Sequence, residues 1–339
     1  MKSQNKNIMG WISDLINSSK IPAIPIMTNP GIELLGLTVK DAVTNGKKHF
    51  EAIKILSEKY PQAAACTVIM DLTVEAEAFG AELVFSDNEV PSVVGRLVSN
   101  AEDIEALKIP DINSARVTEY LRANKMAAAS IDKPVFSGCI GPYSLAGRLY
   151  DMTEIMMAIY TDPEIVRVLL EKCTMFILEY CKALKDCGTA GVIIAEPAAG
   201  LLPNEDCKEF SSVYIKRIID EVQDENFAVI LHNCGNAGHC TEAMVATGAA
   251  GYHFGNRIDM SDALKDCPKD KLVMGNLDPV GIFKNATPEE VAIATEELLN
   301  KAAAYKNFVI SSGCDTPPQI PFENIDAFYK VVEQFNAIR

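Results

Sequence analysis

One histidine and two cysteines are the residues of this sequence whose types and spacing best suit metal chemistry. His232 and Cys234 form an H-x-C pair at the end of an apolar run, and Cys314 follows another apolar run much later in the chain. Residues two apart on a strand project to the same side, so the imidazole and the first thiolate are directed to one point. One nitrogen and two sulfur ligands suit Zn²⁺ better than Mg²⁺, and three protein ligands leave the open position of a catalytic zinc site.

A structural interpretation of the same three residues stays open on spacing alone. Both residues of an isolated H-x-C pair can simply pack, and the ten cysteines of this chain make a chance match common. The other histidines and cysteines considered are interpreted as follows: Cys139 as a pocket or packing residue, His49 as a surface residue, His239 and Cys240 as unrelated to the metal or as neighbours of its ligands, and Cys66, Cys173, Cys181 and Cys187 as packing residues.

Two acidic residues, Asp71 and Glu196, also end apolar runs. A carboxylate in such a position is either a solvated residue at the rim or a group poised in the site. Glu196 ends the run before the one that carries His232, so we expect it near the metal. There it would bind the open position when substrate is absent, or hydrogen-bond a ligand. We expect Asp71 to line the same pocket.

The elements that must position these residues are short apolar runs, rich in β-branched residues as buried parallel strands are. Eight such strands are predicted: Ile21–Met27, Ala64–Met70, Pro134–Gly138, Ala190–Ala195, Phe227–Leu231, Ala249–Phe254, Lys271–Gly275 and Asn307–Ser311. Helical patterns follow nearly every run: Phe50–Tyr60, Glu164–Lys185, Asp206–Val222, Thr241–Ala246, Glu289–Ala304 and Phe322–Ala337. Thr287, followed by Pro288, is predicted to cap the fifth of these helices.

Eight strand–helix units predict a (β/α)₈ TIM barrel, formed as a single domain over residues 1–339. The surplus over a bare barrel lies in an extra N-terminal helix and in an insertion between strands two and three, residues 72–133. A doubly wound open sheet is less well supported, because no G-x-G-x-x-G follows the first run. Barrel enzymes carry their chemistry at the carboxyl ends of the strands, where all five candidate site residues are predicted to lie.

Charge and hydropathy exclude several classes of function. The formal net charge is −15, which disfavours sequence-independent binding of nucleic acid and a purely electrostatic attachment to an anionic membrane. No apolar run reaches the length of a membrane span, and the N-terminal segment lacks the continuous apolar core of a signal peptide. We therefore expect a cytoplasmic protein with reduced thiols, whose cysteines are ligands, nucleophiles or packing residues.

The strand ends resemble those of the uroporphyrinogen decarboxylase superfamily and, within it, of the zinc-dependent methylcobamide:coenzyme M methyltransferases. The resemblance extends over almost the whole chain and is carried by the motifs Leu72–Gly80, Ser137–Ala146, Leu231–Asn236, Gly275–Pro279 and Ser312–Cys314. It implies a (β/α)₈ barrel in which His232, Cys234 and Cys314 ligate zinc.

The activity implied by the resemblance is methyl transfer between a methyl-Co(III) corrinoid and a thiol such as coenzyme M. No D-x-H-x-x-G corrinoid motif occurs in the chain, so the corrinoid (cobalamin) is expected on a separate small corrinoid-binding protein. In this interpretation Glu196 is an acid near the metal, and Asp71 lines the pocket.

Three alternatives stay open. In the first, the same kind of enzyme works in the other direction: zinc activates a methyl ether or methanol, and Co(I) takes the methyl group. The second is a uroporphyrinogen decarboxylase, whose catalytic aspartate Asp71 matches and to which Gly275–Pro279 is closer. However, the arginine-rich stretch of the decarboxylases is replaced by Met27–Glu33, which contains no arginine, while Cys314 and Arg148 replace their histidine and pocket tyrosine. In the third, the barrel only holds zinc or a corrinoid for a partner.

Overall fold

The central element of the fold is a seven-stranded parallel sheet, seen in a computed structural model that describes residues 7–339. An antiparallel pair of short strands lies between the first two strands of that sheet along the chain. The strands are β1 (Cys66–Thr67), β2 (Leu83–Val84), β3 (Ser92–Val93), β4 (Val135–Ile140), β5 (Gly191–Ala195), β6 (Ala228–Asn233), β7 (Gly251–Phe254), β8 (Leu272–Leu277) and β9 (Phe308–Ser312). The large sheet has the order β1-β4-β5-β6-β7-β8-β9, and the small one pairs β2 with β3.

The segment predicted as the first strand, Ile21–Met27, lies between β9 and the residues before β1 and so closes the sheet into a barrel. The amide of Ile24 donates to the carbonyl of Ile310 at 3.0 Å, and the amide of Ala64 donates to the carbonyl of Ala23 at 2.9 Å. The segment forms only an isolated parallel bridge, Ala23 to Ile310, instead of a ladder. Prolines at positions 22 and 25 explain this, because proline has no N–H to donate. The predicted (β/α)₈ barrel architecture is confirmed.

Helices follow the strands and form the outer layer of the barrel. They are α1 (Ile8–Asn17), α2 (Asn29–Leu34), α3 (Val39–Val43), α4 (Gly46–Lys59), α5 (Val74–Ala78), α6 (Ala101–Ala106), α7 (Val117–Ser130), α8 (Pro142–Tyr150), α9 (Met152–Thr161), α10 (Pro163–Asp186), α11 (Asn204–Cys207), α12 (Val213–Val222), α13 (Thr241–Val245), α14 (Met260–Asp266), α15 (Pro288–Ala302) and α16 (Phe322–Ala337). A 3₁₀ turn covers Pro197–Leu201, and π-helical segments cover Lys208–Ser212 and Pro279–Lys284.

Most of the predicted helices coincide with these to within a few residues. The predicted helix Asp206–Val222 is divided among α11, a π-helical segment and α12. The predicted cap of α15 is present as a capping box: the Thr287 side chain accepts from the Glu290 amide, and the Glu290 side chain accepts from the Thr287 amide. No helix within residues 7–339 is both long and apolar enough to cross a membrane.

The interior of the barrel is apolar at its amino-terminal end and polar at its carboxyl-terminal end. Residues that project into the apolar part include Ile24, Phe136, Ile193, Ile230, Leu272, Met274 and Val309. Ile8 and Ile12 of α1 pack onto this cluster, so the N-terminal helix covers the amino-terminal opening. Because side chains alternate along a strand, His232 faces the same interior two residues after Ile230. The mouth of the barrel therefore receives the polar groups.

Residues 72–133 form α5, the β2–β3 hairpin, α6 and α7 beside β1 and β4. α7 packs against α4, and the outward-facing residues of the sheet pack under the helical layer; Val192 and Ile194 of β5 share a cluster with Phe176 and Ile177 of α10. The strands are thus buried on both faces, which explains their continuous apolar sequences.

Candidate metal centre

His232, Cys234 and Cys314 converge at the mouth of the barrel. Their nitrogen and sulfur ligand atoms all lie within 4.8 Å of one another, and Cys314 Sγ lies 3.6 Å from His232 Nε2. His232 is the penultimate residue of β6, Cys234 follows that strand, and Cys314 lies two residues beyond β9. The histidine is only 2% exposed, whereas both cysteines are partly exposed. The imidazole therefore forms the floor of the cluster, and the two cysteine residues lie nearer to solvent.

A tight turn after β6 brings Cys234 into the mouth. The Asn233 side-chain oxygen accepts hydrogen bonds from the amides of Gly235 and Asn236, each at 3.0 Å, and so fixes the backbone on both sides of Cys234. The loop after β7 packs against it so closely that a Cβ at Gly255 would lie 2.7 Å from Cys234 Cα. The position of this thiol is thus held by the backbone of two neighbouring loops.

The two thiols form a pair that favours one thiolate. The hydrogen bond with Cys314 and the nearby imidazole of His232 lower the pKa of Cys234, while the hydrogen bond with Cys234 and burial raise the pKa of Cys314. The thiolate is the form that binds metal, so one sulfur is ready to bind and the other must lose its proton when a metal enters.

The donor set fits a zinc ion. An imidazole nitrogen and a thiolate sulfur that share a tetrahedral zinc are separated by about 3.5 Å. Cys314 Sγ and His232 Nε2 are 3.6 Å apart. Two soft sulfurs and one imidazole match the preference of Zn²⁺, and the partly exposed side of the cluster leaves access for a fourth ligand.

His253 lies directly behind the cluster, and the sequence interpretation gave it no role. Its Nδ1 is 2.7 Å from His232 Nδ1, and its Nε2 is 2.9 Å from Ser311 Oγ. All three residues are buried. The strand pattern could have indicated this position. His253 lies on β7 and is paired in register with His232 on the neighbouring strand β6. Cross-strand partners of a ligand face the same interior as the ligand itself.

Glu196 lies against helix α8 and is not part of the three-residue cluster. Its carboxylate accepts hydrogen bonds from the amides of Tyr143 and Ser144, at 3.1 and 2.6 Å, in the first turn of α8. The helix needs this external acceptor because its N-cap residue, Gly141, has no side chain. Burial raises the pKa of Glu196 to about 7. The link to the cluster is through the backbone: the Glu196 amide donates to the His232 carbonyl at 2.8 Å.

Asp71 is buried in an ion pair that the sequence did not indicate. One carboxylate oxygen accepts from the amide and hydroxyl of Thr73, and the other accepts from Arg116 at 2.5 Å and from Tyr120 at 3.1 Å. Four donors therefore occupy the lone pairs of this carboxylate. Arg148 lies close enough to interact electrostatically with Asp71, and it makes no hydrogen bond or ion pair within residues 7–339.

The interpretation of His49 as a surface residue is wrong. His49 is fully buried, its Nε2 accepts from the Ile69 amide at 3.2 Å, and its ring lies edge-on to Tyr120. The residue faces β1 because α4 begins at Gly46, earlier than predicted, and packs this side of the helix inward. Burial lowers the pKa of His49 to about 3, so it stays neutral.

The remaining cysteines contact protein groups. Cys66, Cys139, Cys173 and Cys181 are buried. Cys187 is partly exposed and donates to the Leu121 carbonyl. Cys240 is buried and donates to the Leu202 carbonyl, whereas His239 is exposed. Within residues 7–339, His232, Cys234 and Cys314 are the group of histidine, cysteine and acidic residues with the spacing of metal ligands.

Comparisons with known proteins agree with this architecture. The family model "Uroporphyrinogen decarboxylase (URO-D)" matches residues 18–335. A methylcobamide:CoM methyltransferase of Methanosarcina acetivorans is 32% identical over 276 residues, which cover 80% of each chain. A uroporphyrinogen decarboxylase of Azotobacter vinelandii is 27% identical over 298 residues, which cover 83% of this chain and 81% of that protein.

Solved structures show the same fold. A methyltransferase from Methanosarcina mazei superimposes with a TM-score of 0.86 over 98% of both chains, at 21% identity. A B12-independent methionine synthase from Shewanella sp. W3-18-1 superimposes with a TM-score of 0.60 over 94% of this chain and 98% of that one, at 15% identity. The family model and the similar sequences confirm the resemblance, and the chain belongs to the uroporphyrinogen decarboxylase family.

Proposed function

We propose that this protein is a zinc-dependent corrinoid methyltransferase. It would transfer a methyl group between a methyl-Co(III) corrinoid, carried by a separate small corrinoid-binding protein, and a small thiol such as coenzyme M. The observation that carries the proposal is the convergence of one imidazole and two thiols at the mouth of a barrel. The similarity to methylcobamide:CoM methyltransferases, at 32% and 29% identity, supports the type of reaction.

His232, Cys234 and Cys314 would hold the zinc ion. Bound there, zinc would lower the pKa of a substrate thiol, so that its thiolate is available near neutral pH. Cys234, whose pKa is lowered, would contribute one thiolate, and Cys314, whose pKa is raised, would release its proton when the metal binds. Both cysteine residues are partly exposed, so a substrate would approach the cluster from their side.

Other residues of the chain would orient the reactants and exclude water. The floor of the mouth is formed by buried side chains, His232, His253 and Ser311, above the apolar interior of the barrel. A buried floor would exclude water and help to align sulfur, methyl carbon and cobalt, which reduces the entropy lost in reaching the transition state. Glu196 would act by fixing the start of α8 and the carbonyl of His232, because its own oxygens are bound to the helix amides.

Asp71 would act as the anchor of Arg116 at the edge of the mouth. A catalytic role in decarboxylation needs a carboxylate that is free to contact the substrate, and four protein donors already bind this one. The loop from Met27 to Glu33 also lacks the arginines that an octa-anionic porphyrinogen requires. The arrangement of Asp71 thus favours the methyltransferase over the decarboxylase.

The activity is tested by supplying methylcobalamin and a thiol to the purified protein and recording the cobalt spectrum. We expect demethylation with coenzyme M or homocysteine, loss of the activity after chelation, and recovery with zinc. Cys234→Ala should be inactive, whereas Cys187→Ala, which removes another partly exposed cysteine, should keep the activity.

The other outcomes discriminate among the alternatives. If no thiol reacts but a methyl ether or methanol methylates Co(I), the zinc site is retained and the direction of transfer is reversed. Release of carbon dioxide from a porphyrinogen without metal would contradict the methyltransferase. Stoichiometric zinc with no reaction in any assay would support a barrel that only holds the metal.

A further inference from the structure

Two buried histidines face each other through the same ring nitrogen at the floor of the mouth. His232 Nδ1 and His253 Nδ1 are 2.7 Å apart, and the two rings are inclined at 67°. This distance is a hydrogen bond, so one proton lies between the two nitrogens. Two unprotonated nitrogens would repel each other, and two N–H groups would clash. This proton is bonded to either His232 or His253. Which of the two carries it decides whether the Nε2 atom of each ring has a lone pair or a proton.

The two possible arrangements have opposite consequences for the cluster. If the shared proton belongs to His232, its Nε2 presents a lone pair towards Cys314, and a neutral His253 carries its own proton on Nε2. If the shared proton belongs to His253, a neutral His232 carries its proton on Nε2, which faces the sulfur at 3.6 Å. The first arrangement can bind a metal at Nε2, and the second cannot.

The contacts of the two outer nitrogens fit the first arrangement. His253 Nε2 lies 2.9 Å from Ser311 Oγ, and a hydroxyl oxygen can accept the proton that this arrangement places on Nε2. His232 Nε2 lies 3.6 Å from Cys314 Sγ, and it can bind a metal beside that sulfur only if the proton of His232 is on Nδ1. His253 Nδ1, 2.7 Å away, is then the acceptor of that proton.

We propose that His253 is a positioning residue for the metal centre: it accepts the Nδ1 proton of His232, donates its own proton towards Ser311, and thereby presents His232 Nε2 to the metal as a lone pair. The inference rests on the zinc site of the proposed function. Metal-ligating histidines are commonly oriented by such an outer hydrogen bond, and its loss weakens metal binding by about 10- to 100-fold. Here the acceptor is a second imidazole, held by strand β7 in register with the ligand.

The inference is tested by a pair of polar substitutions that differ in where they place an oxygen. His253→Asn puts its side-chain oxygen near the position of Nδ1, where it can still accept from His232. His253→Gln puts it near Nε2, where it cannot. We expect zinc affinity, measured by competition with a chelator, to stay close to the native value in the Asn variant. The Gln variant should bind zinc about 10- to 100-fold more weakly. Thermal unfolding of both variants controls for folding.

A second measurement does not depend on zinc. Nitrogen NMR of the metal-free native protein should show the proton of His232 on Nδ1 and that of His253 on Nε2. A proton on Nε2 of His232, or equal zinc affinity in the Gln variant and the native protein, would overturn the positioning role. If the native protein binds no zinc, the proposed function fails. The NMR assignment still decides whether His232 donates its Nδ1 proton to His253.

Discussion

Two thiol pairs in this protein show what turns neighbouring cysteines into a candidate metal centre. Cys139 and Cys181 lie with their sulfurs 4.0 Å apart, a separation similar to that within the cluster at the mouth. Both are buried, Cys139 on strand β4 and Cys181 on helix α10, whereas Cys234 and Cys314 are partly exposed loop residues next to an imidazole. Spacing alone is therefore uninformative, and the third donor and solvent access make the difference.

The surroundings also shift the pKa values of Cys139 and Cys234 in opposite directions. The hydrogen bond with Cys181 and burial raise the pKa of Cys139 well above its usual range. In the other pair, hydrogen bonds with Cys314 and His232 lower the pKa of Cys234. The buried pair packs as two small side chains, whereas the imidazole beside the pair at the mouth favours a thiolate at Cys234.

The largest expected effect is on metal content. Cys314→Ala should reduce zinc from about one ion per chain to almost none, because two ligands do not hold a zinc ion against solvent. Cys139→Ala should keep the full zinc content, which elemental analysis of both purified variants measures. Full zinc in the Cys314 variant would contradict the assigned ligand set.

In the metal-free protein, Cys234 should be alkylated about 100-fold faster than Cys139. The thiolate is the reactive form, and Cys139 is only 1% exposed. Mass spectrometry after brief iodoacetamide treatment should find the label on Cys234 and not on Cys139. Zinc should protect Cys234 and leave the labelling of Cys187 unchanged. Equal labelling of Cys234 and Cys139 would show that their environments do not differ as described.

Zinc binding should strengthen as pH rises, by about tenfold per pH unit for each proton released. Cys314, whose pKa is raised, keeps its proton at neutral pH until the metal enters, so binding must release it. Calorimetry in two buffers with different ionisation enthalpies measures the number of protons. Cys139→Ala should release the same number, and an absence of proton release would argue against Cys314 as a ligand.

The smallest expected effect is on the free energy of unfolding. Here the substitution in the buried pair should have the larger effect. Cys139→Ala should lower the free energy of unfolding by about 1 kcal/mol, because it leaves a small cavity against Cys181 in the core. Cys314→Ala, at a partly exposed position, should change the stability of the metal-free protein by less. Urea unfolding of the metal-free proteins compares the two. A larger loss for Cys314 would mean that the loop at the mouth has a structural role.

The sequence predicted the barrel and the convergence of His232, Cys234 and Cys314, because both depend on local patterns. The apolar runs marked the strands, and their carboxyl ends marked the mouth. The position of Glu196 depends on register, which strand ends alone do not reveal. Ala195 is paired with His232 across β5 and β6, so the residue after it projects to the helical layer. The ion pair between Asp71 and Arg116 could not be predicted either. Arg116 is the N-cap residue of α7, far from Asp71 in the sequence, and no local pattern indicates the pairing.

The covering of the amino-terminal opening by α1 has a kinetic consequence under the proposed function. Ile8 and Ile12 pack into that end of the barrel, so the mouth is the route by which reactants reach the sulfur atoms. A corrinoid on its carrier protein would cover this route while it is docked. The thiol must therefore enter first, and the methylated product leaves only after the carrier has dissociated, which makes the mechanism ordered and ties turnover to the lifetime of the protein complex.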